Sequence, residues 1–188
     1  MTLTQLCDIA EIRAGYPFRG SVPDMPDGLC RVVQPKDVFG GGIIDEVALR
    51  FTPERLKPDY LLKAGDILLS SRGEFKAALY KGKCKTLASN LLFVLSVRIK
   101  DFLPEYLVFY LNSKSGQAQM AARKNPGTLQ AIVRSGIESL DIPLLPIKRQ
   151  KLLAETYFLL LREKELSQRL AEEKTKLLEL ALNTEIKK

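Results

Sequence analysis

Histidine does not occur in this chain of 188 residues. Its absence excludes Ser-His-Asp and Cys-His nucleophile systems, Cys2His2 fingers and His-liganded catalytic metals. Any catalysis would have to run on carboxylates, lysine or a bound cofactor. Cysteine is scarce: Cys7, Cys30 and Cys84 are odd in number, widely spaced and without a CxxC pair. They read as small, mostly buried apolar residues in a reducing compartment. No apolar run approaches the roughly 20 residues of a membrane span. The opening MTLTQLCDIAEIRAG carries acids and lacks the basic-then-apolar pattern of a signal segment. The expectation is a cytoplasmic protein with no membrane partner.

Nucleotide and methyl-donor motifs are also missing. Phe39-Gly40-Gly41-Gly42-Ile43 has neither the GxGxxG spacing nor a GK[ST] ending, and Ile43 breaks an FxGxG pattern. Asn125-Pro126-Gly127-Thr128 is not an NPPY motif, and both stretches read as turns. No cofactor is expected.

What is present is a long helix. From Pro146 to the last residue there is no further proline or glycine, and Leu, Glu, Lys, Ala and Arg dominate. About 40 helical residues would span about 60 Å, more than the core of a small domain needs. At its start Leu152, Leu153, Tyr157, Phe158, Leu159, Leu160 and Leu161 surround the helix, which predicts burial against the chain's own domain. Further on one seam remains, with Leu159, Leu166, Leu170, Leu177 and Ala181 as interface candidates and Glu173 as an interruption. Spacings of three and four flanked by Glu and Lys mark a coiled coil. The simplest partner is a second copy, giving a homodimer; a helix folded back over its own domain is the alternative.

The formal net charge is +7, and it is unevenly placed. Residues 72–100 carry seven basic side chains against one acid, Glu74. Such a local cluster reads as a footprint for the nucleic-acid backbone, or else as a solvated face. Within 1–146 many short strands and a few helices are expected: a short helix over Leu3–Ala10 with Thr4 as its cap, strands at 29–33, 47–51, 67–71, 75–80 and 91–99, a basic hairpin tip at Lys81-Gly82-Lys83, and helices at 104–111 and 114–124. The fold class is therefore α+β: a globular domain over 1–146 followed by one long coiled-coil helix over 147–188.

One constellation suggests catalysis. Asp66 precedes a strand and Glu74-Phe75-Lys76 follows it, as in Mg²⁺-dependent nucleases of the PD-(D/E)xK kind. In that reading two carboxylates hold the metal and Lys76 orients the attacking water. A turn at Gly65-Asp66 beside a basic patch is the structural alternative, and a coiled-coil adaptor without DNA affinity is a third reading.

Several stretches, in order, resemble the specificity (S) subunit of type I restriction–modification systems. LCDIAEIRAGYPF is similar to that family's opening through Leu6, Ile9, Ile12 and Gly15. VVQPKDV (32–38), KAGDILLSSRG (63–73), FLPEYLVFYLNS (102–113) and GTLQAIVRSGIESLDIPLLPIKRQKLLAE (127–155) resemble its successive elements. Complete S subunits resemble two such units in tandem, and this chain carries one. The resemblance implies a non-catalytic half-subunit that recognises double-stranded DNA and dimerises through its helix to read a split palindrome. Methyl transfer would belong to partner M subunits and cleavage to R subunits. The DNA-binding candidates are Arg72, Lys76, Lys81, Lys83 and Lys85, with Arg123, Lys124, Asn125 and Thr128 as further candidates.

Overall fold

Two apolar segments build the central sheet. Ile67–Ser70 (β6) is buried on both faces, and Leu92–Val97 (β9) lies antiparallel beside it. Together with Ala10–Ala14 (β2), Ala77–Tyr80 (β7) and Ile43–Ile44 (β4) they form a five-stranded sheet in the order β2-β9-β6-β7-β4. One cross-strand row, Ile12, Leu95, Ile67, Leu79 and Ile43, runs through all five strands. Cross-strand apolar pairs of this kind fix register, because a one-residue slip would turn every side chain to the other face. The computed structural model describes residues 2–38, 40, 42–44, 47–53, 57–124 and 131–186, with side chains to 183.

A second sheet has three strands. Cys30–Val33 (β3) sits between Arg50–Phe51 (β5), antiparallel, and Thr86–Ala88 (β8), parallel. On one side Cys30, Val32 and Leu87 pack with Phe18 and the rings of Tyr16, Phe51 and Tyr60, whose centroids lie 4.8–6.1 Å apart. On the other, Val33 and Ala88 join Leu68, Ala78, Val94 and Tyr80 from the larger sheet. Gly15 lets the chain cross here. A Cβ on it would collide with the carbonyls of Ala88 and Ser89, so no other residue fits the approach.

The helices Pro104–Asn112 (α3) and Lys114–Ala122 (α4) follow β9. Pro104 opens α3 where its missing donor is harmless. Ser113 ends α3 and caps α4, its Oγ accepting from the Gly116 amide at 3.2 Å. Thr2–Gln5 (β1) pairs antiparallel with Asp141–Leu144 (β10), apart from the other sheets. Tyr106 and Tyr110 of α3 donate to the carbonyls of Pro143 and Asp141 at 3.1 and 3.0 Å.

The chain divides into two units, Met1–Ala154 and Glu155–Lys188. The last helix, Ile147–Ile186 (α6; the short helices Leu6–Ile9, Pro35–Val38 and Arg134–Glu138 are α1, α2 and α5), has its root in the first unit. Gln150, 1% exposed, fixes that root. Its Oε1 accepts from the Leu103 amide at 2.9 Å, and its Nε2 donates to the carbonyls of Asp101 and Leu145 at 3.0 and 2.8 Å.

The structure corrects several expectations. Leu3–Ala10 is not one helix: β1 occupies its first half and α1 is a single turn, because Thr2–Gln5 gains ladder partners from β10. Thr4 therefore caps nothing; Gln5 is the N-cap residue. Lys81-Gly82-Lys83 is not a hairpin tip, since β7 and β8 belong to different sheets. Cys30 is buried but Cys7 and Cys84 are exposed. The apolar start of α6 is only partly buried: Gln150 and Ala154 are buried, Leu153, Tyr157, Phe158 and Leu161 are half-buried, and Leu152, Leu159 and Leu160 are 63%, 70% and 58% exposed.

Two outcomes follow from these contacts. Gln150→Ala strands an amide and two carbonyls and should lower unfolding stability by about 2–4 kcal/mol in urea titration. Burial raises the Tyr106 hydroxyl to about 12 and pushes Tyr80 and Tyr110 upward as well. Unfolded tyrosines lose their protons near 10, so between pH 10 and 12 the unfolded chain binds fewer protons than the folded one. Stability should therefore fall as pH rises through that window, and Tyr106→Phe should make the fall shallower.

Candidate nucleic-acid interface

The basic residues of 72–100 do not form one patch. Arg72, Lys76, Lys81, Lys83 and Lys85 lie at the two ends of β7, whose four residues span about 13 Å, whereas Arg98 and Lys100 follow β9 and Arg98 pairs with Glu11 at 2.8 Å. At one end is the turn from β6 into β7. Gly73 adopts φ +70°, Arg72 and Glu74 are exposed, and Lys76 is half-buried. This turn is braced from below. Ser71 donates through N and Oγ to the Leu91 carbonyl at 3.0 and 2.8 Å. Gln117 of α4 donates to the Phe75 carbonyl at 2.6 Å, and Asn112 of α3 both accepts from and donates to the Ala77 backbone.

Lys124 joins Arg72 and Lys76 at this end. Its ammonium lies 5.1 Å from the centroid of the buried Phe75 ring. Arg72 bridges to Ala131, Lys124 bridges to Ile132, and the Ile132 amide donates to the Ser71 carbonyl at 3.0 Å. Arg72 and Lys124 lie 52 positions apart in the chain, and the fold brings their backbones to neighbouring bridges. Asn125 and Thr128 lie outside the described residues.

At the other end, Lys81, Lys83 and Lys85 occupy the link from β7 to β8. Tyr80 staples this link from inside: its hydroxyl donates to Thr86 Oγ1 at 2.7 Å, and Thr86 donates on to the Cys84 carbonyl at 3.1 Å. Gly82 lies against the Tyr80 ring, leaving no room for a side chain. Lys81 pairs with Glu105 at 3.5 Å, while Lys83 and Lys85 are exposed. Arg31 and Arg50 face each other across β3 and β5, but their side chains serve the fold, Arg31 donating to the Val47 carbonyl at 2.6 Å and Arg50 to the Pro26 carbonyl at 3.1 Å. The Arg31 amide donates to the Lys85 carbonyl at 2.9 Å.

Arg123 is a structural residue rather than a free cation. Its Nε donates to Ser139 Oγ at 3.1 Å, one terminal nitrogen to the Ser139 carbonyl at 3.0 Å and the other to the Gln119 carbonyl at 3.2 Å. Asp141 lies 3.7 Å away. With its fork committed on all sides, it has little left for phosphate.

Asp66 is likewise committed. It is 3% exposed and accepts from Arg13 at 3.2 Å, from the Lys63 amide at 2.9 Å and from Ser96 at 2.6 Å. Those bonds use the lone pairs that a metal would need, and Glu74 sits at the opposite end of β6, exposed to solvent. The Asp66/Glu74/Lys76 constellation does not assemble. No cluster of three or more potential metal ligands occurs among the described residues.

Comparison with known proteins decides what this scaffold is. A family sequence profile described as Type I restriction modification DNA specificity domain matches residues 3–173. The chain belongs to that family. Type I specificity domains recognise DNA sequence and are generally non-catalytic. No curated protein matches by sequence. Solved structures share the specificity-domain fold. A chain from a study of complex assembly and conformational transition in a type I R-M system aligns with TM-score 0.65 and 18% identity over 93% of this chain and 41% of its own. The type I S subunit from M. genitalium aligns at 0.56 with 15% identity, over 82% and 37%. The HsdS subunit from Thermoanaerobacter tengcongensis aligns at 0.57 with 18% identity, over 90% and 39%. This chain thus spans about two fifths of the length of these specificity-domain chains. Among the described residues no helix is long and apolar enough to cross a membrane.

Asp66→Ala should leave Arg13 partly buried without its carboxylate and cost on the order of 3 kcal/mol of stability. Thermal unfolding would register that loss. DNA cleavage assays with Mg²⁺ should show no difference between this variant and the parent.

Proposed function

We propose that this chain is a DNA-recognition half-subunit that works as a pair. Residues 1–154 form one reader, and α6 joins it to the helix of a second copy. The exposed leucines of α6 carry this reading. Leu159, Leu166, Leu170 and Leu177 are 48–70% exposed on one seam of the Glu155–Lys188 unit. A water-exposed leucine seam at coiled-coil spacing is a surface made for a second helix. Ala181 borders that seam, and Leu180 continues its three–four spacing from Leu177.

Two identical readers related by a two-fold axis select two copies of one half-site. The target is then a split palindrome with a fixed spacer. Both basic ends of β7, with Arg72, Lys76 and Lys124 on one and Lys81, Lys83 and Lys85 on the other, contact phosphates and set the register of the domain on the duplex. Methyltransferase subunits supply the chemistry and dock on the helices. A second stripe on α6, with Leu160, Leu178 and Leu182 at 58–66% exposure, lies off the pairing seam and is available to them. Restriction subunits join through that complex.

Selection from a random duplex DNA pool, with and without a type I methyltransferase subunit, tests the reading. A split, two-fold-symmetric sequence is expected. An asymmetric half-site would contradict pairing, and no enrichment from folded protein with its partner would contradict recognition. On the selected duplex, Lys83→Ala should reduce the slope of log K against log salt by about one, with little change in which bases are preferred.

A further inference from the structure

Glu74 is the one acid among the seven basic residues of 72–100. It stands exposed on the turn between β6 and β7, with Arg72 two positions before it and Lys76 two after. Other acids with cations nearby are paired: Glu11 with Arg98 at 2.8 Å, Asp66 with Arg13 at 3.2 Å and Glu105 with Lys81 at 3.5 Å. Among the described residues Glu74 has no ion pair, and its side chain makes no hydrogen bond. Its carboxylate keeps all its acceptor sites open, on a turn whose other charges are positive.

The backbone that carries Glu74 is held. Its carbonyl accepts from the Lys76 amide at 3.0 Å, and the Lys76 carbonyl accepts from the Ser70 amide at 2.9 Å. Ser70 Oγ donates to the Arg72 carbonyl at 2.9 Å. Phe75, the next residue, is 2% exposed and anchors the turn in the domain. Gly73 before it has φ +70°, and among the described residues nothing lies within 4 Å of where its Cβ would be. The tip of the turn therefore stands in open space on a fixed base. A carboxylate presented in this way is a reading group for any donor brought against it.

From this we infer that Glu74 reads a cytosine in the major groove, accepting from its N4 amino group. The inference rests on the DNA-recognition reading above and names one of its specificity-determining residues. Phosphates, held by Arg72 and Lys76, repel a carboxylate, and so do the acceptors on base edges. The donors that the major groove offers are the amino groups of cytosine and adenine. Adenine flanks its amino group with the N7 acceptor, which suits a side chain holding both a donor and an acceptor. Cytosine offers the amino group alone, which suits an acceptor-only carboxylate. A wrong base leaves Glu74 against an acceptor, and the penalty falls on that base pair. On DNA lacking the right base the same charge weakens the grip of its cationic neighbours. One residue thus selects the cytosine and loosens binding elsewhere.

Duplex selection with Glu74→Gln and Glu74→Ala tests this, run beside the parent in the full-length chain with a type I methyltransferase subunit. The parent motif is expected to hold a fixed C·G pair that Glu74→Gln moves toward A·T, since glutamine bonds adenine through N6 and N7. Glu74→Ala should leave that position open, and every other position should stay as in the parent. On defined duplexes the parent should prefer cytosine there by on the order of tenfold to a hundredfold. Glu74→Ala should lose that preference while binding random-sequence DNA more tightly than the parent. Thermal unfolding of both variants should match the parent, because the replaced side chain bonds to nothing in the domain. A parent motif whose every position survives both substitutions overturns the inference and leaves recognition standing. Equal tightening of both variants on all duplexes does the same, making Glu74 a repulsive surface charge only. A position that depends on Glu74 but holds adenine in the parent rejects cytosine as its target. No enriched motif from the folded parent removes recognition itself, and this inference with it.

Discussion

The amide of Gln150 holds the fold at the point where all its parts meet. One side chain caps the start of α3 through the Leu103 amide, holds the loop at Asp101 and holds Leu145 before the helix. It is almost fully buried, so water cannot take over any of these bonds. Only a residue with both a donor and an acceptor of this length serves all three groups. Because α3 also grips β10 through Tyr106 and Tyr110, the first turn of α6 is fixed to the domain by two routes. This joint is built of short, buried bonds.

The placement of charge follows from the same economy of structure. Cations inside the fold are spent on the fold: Arg13 on Asp66, Arg123 on Ser139 and Gln119. The exposed Arg72, Lys83 and Lys85 stand instead on the turns at the two ends of β7. The turns themselves are stiff, one braced by Asn112 and Gln117 and the other by Tyr80. Long basic side chains on rigid turns give a surface whose charges are fixed at their bases and adaptable at their tips.

Much of this was legible in the sequence, and the failures have physical causes. β6, β9, α3 and α6 carry strong local signals: an apolar run, a second apolar run, Pro104 at a helix start, and some 40 residues without a breaker. The pairing of β1 with β10 joins residues about 140 apart, and nothing local in Thr2–Gln5 announces it. Nothing local to Gly15 announces its role, which is to let two backbones cross. Arg123 and Lys124 are adjacent cations with different fates, decided by Ser139 and Phe75. The apolar wrap at the start of α6 predicts burial, but Leu152, Leu159 and Leu160 are exposed, while Leu153, Tyr157, Phe158 and Leu161 are half-buried. Hydrophobic pattern reveals that a surface must be covered, and says nothing of whose surface covers it.

The ladder between β1 and β10 places the first strand of the domain against the strand that leads into α6. The beginning and the exit of the reader are therefore neighbours. A load on the root of α6 therefore reaches two strands at once, and the ladder shares it between the start of the domain and its exit.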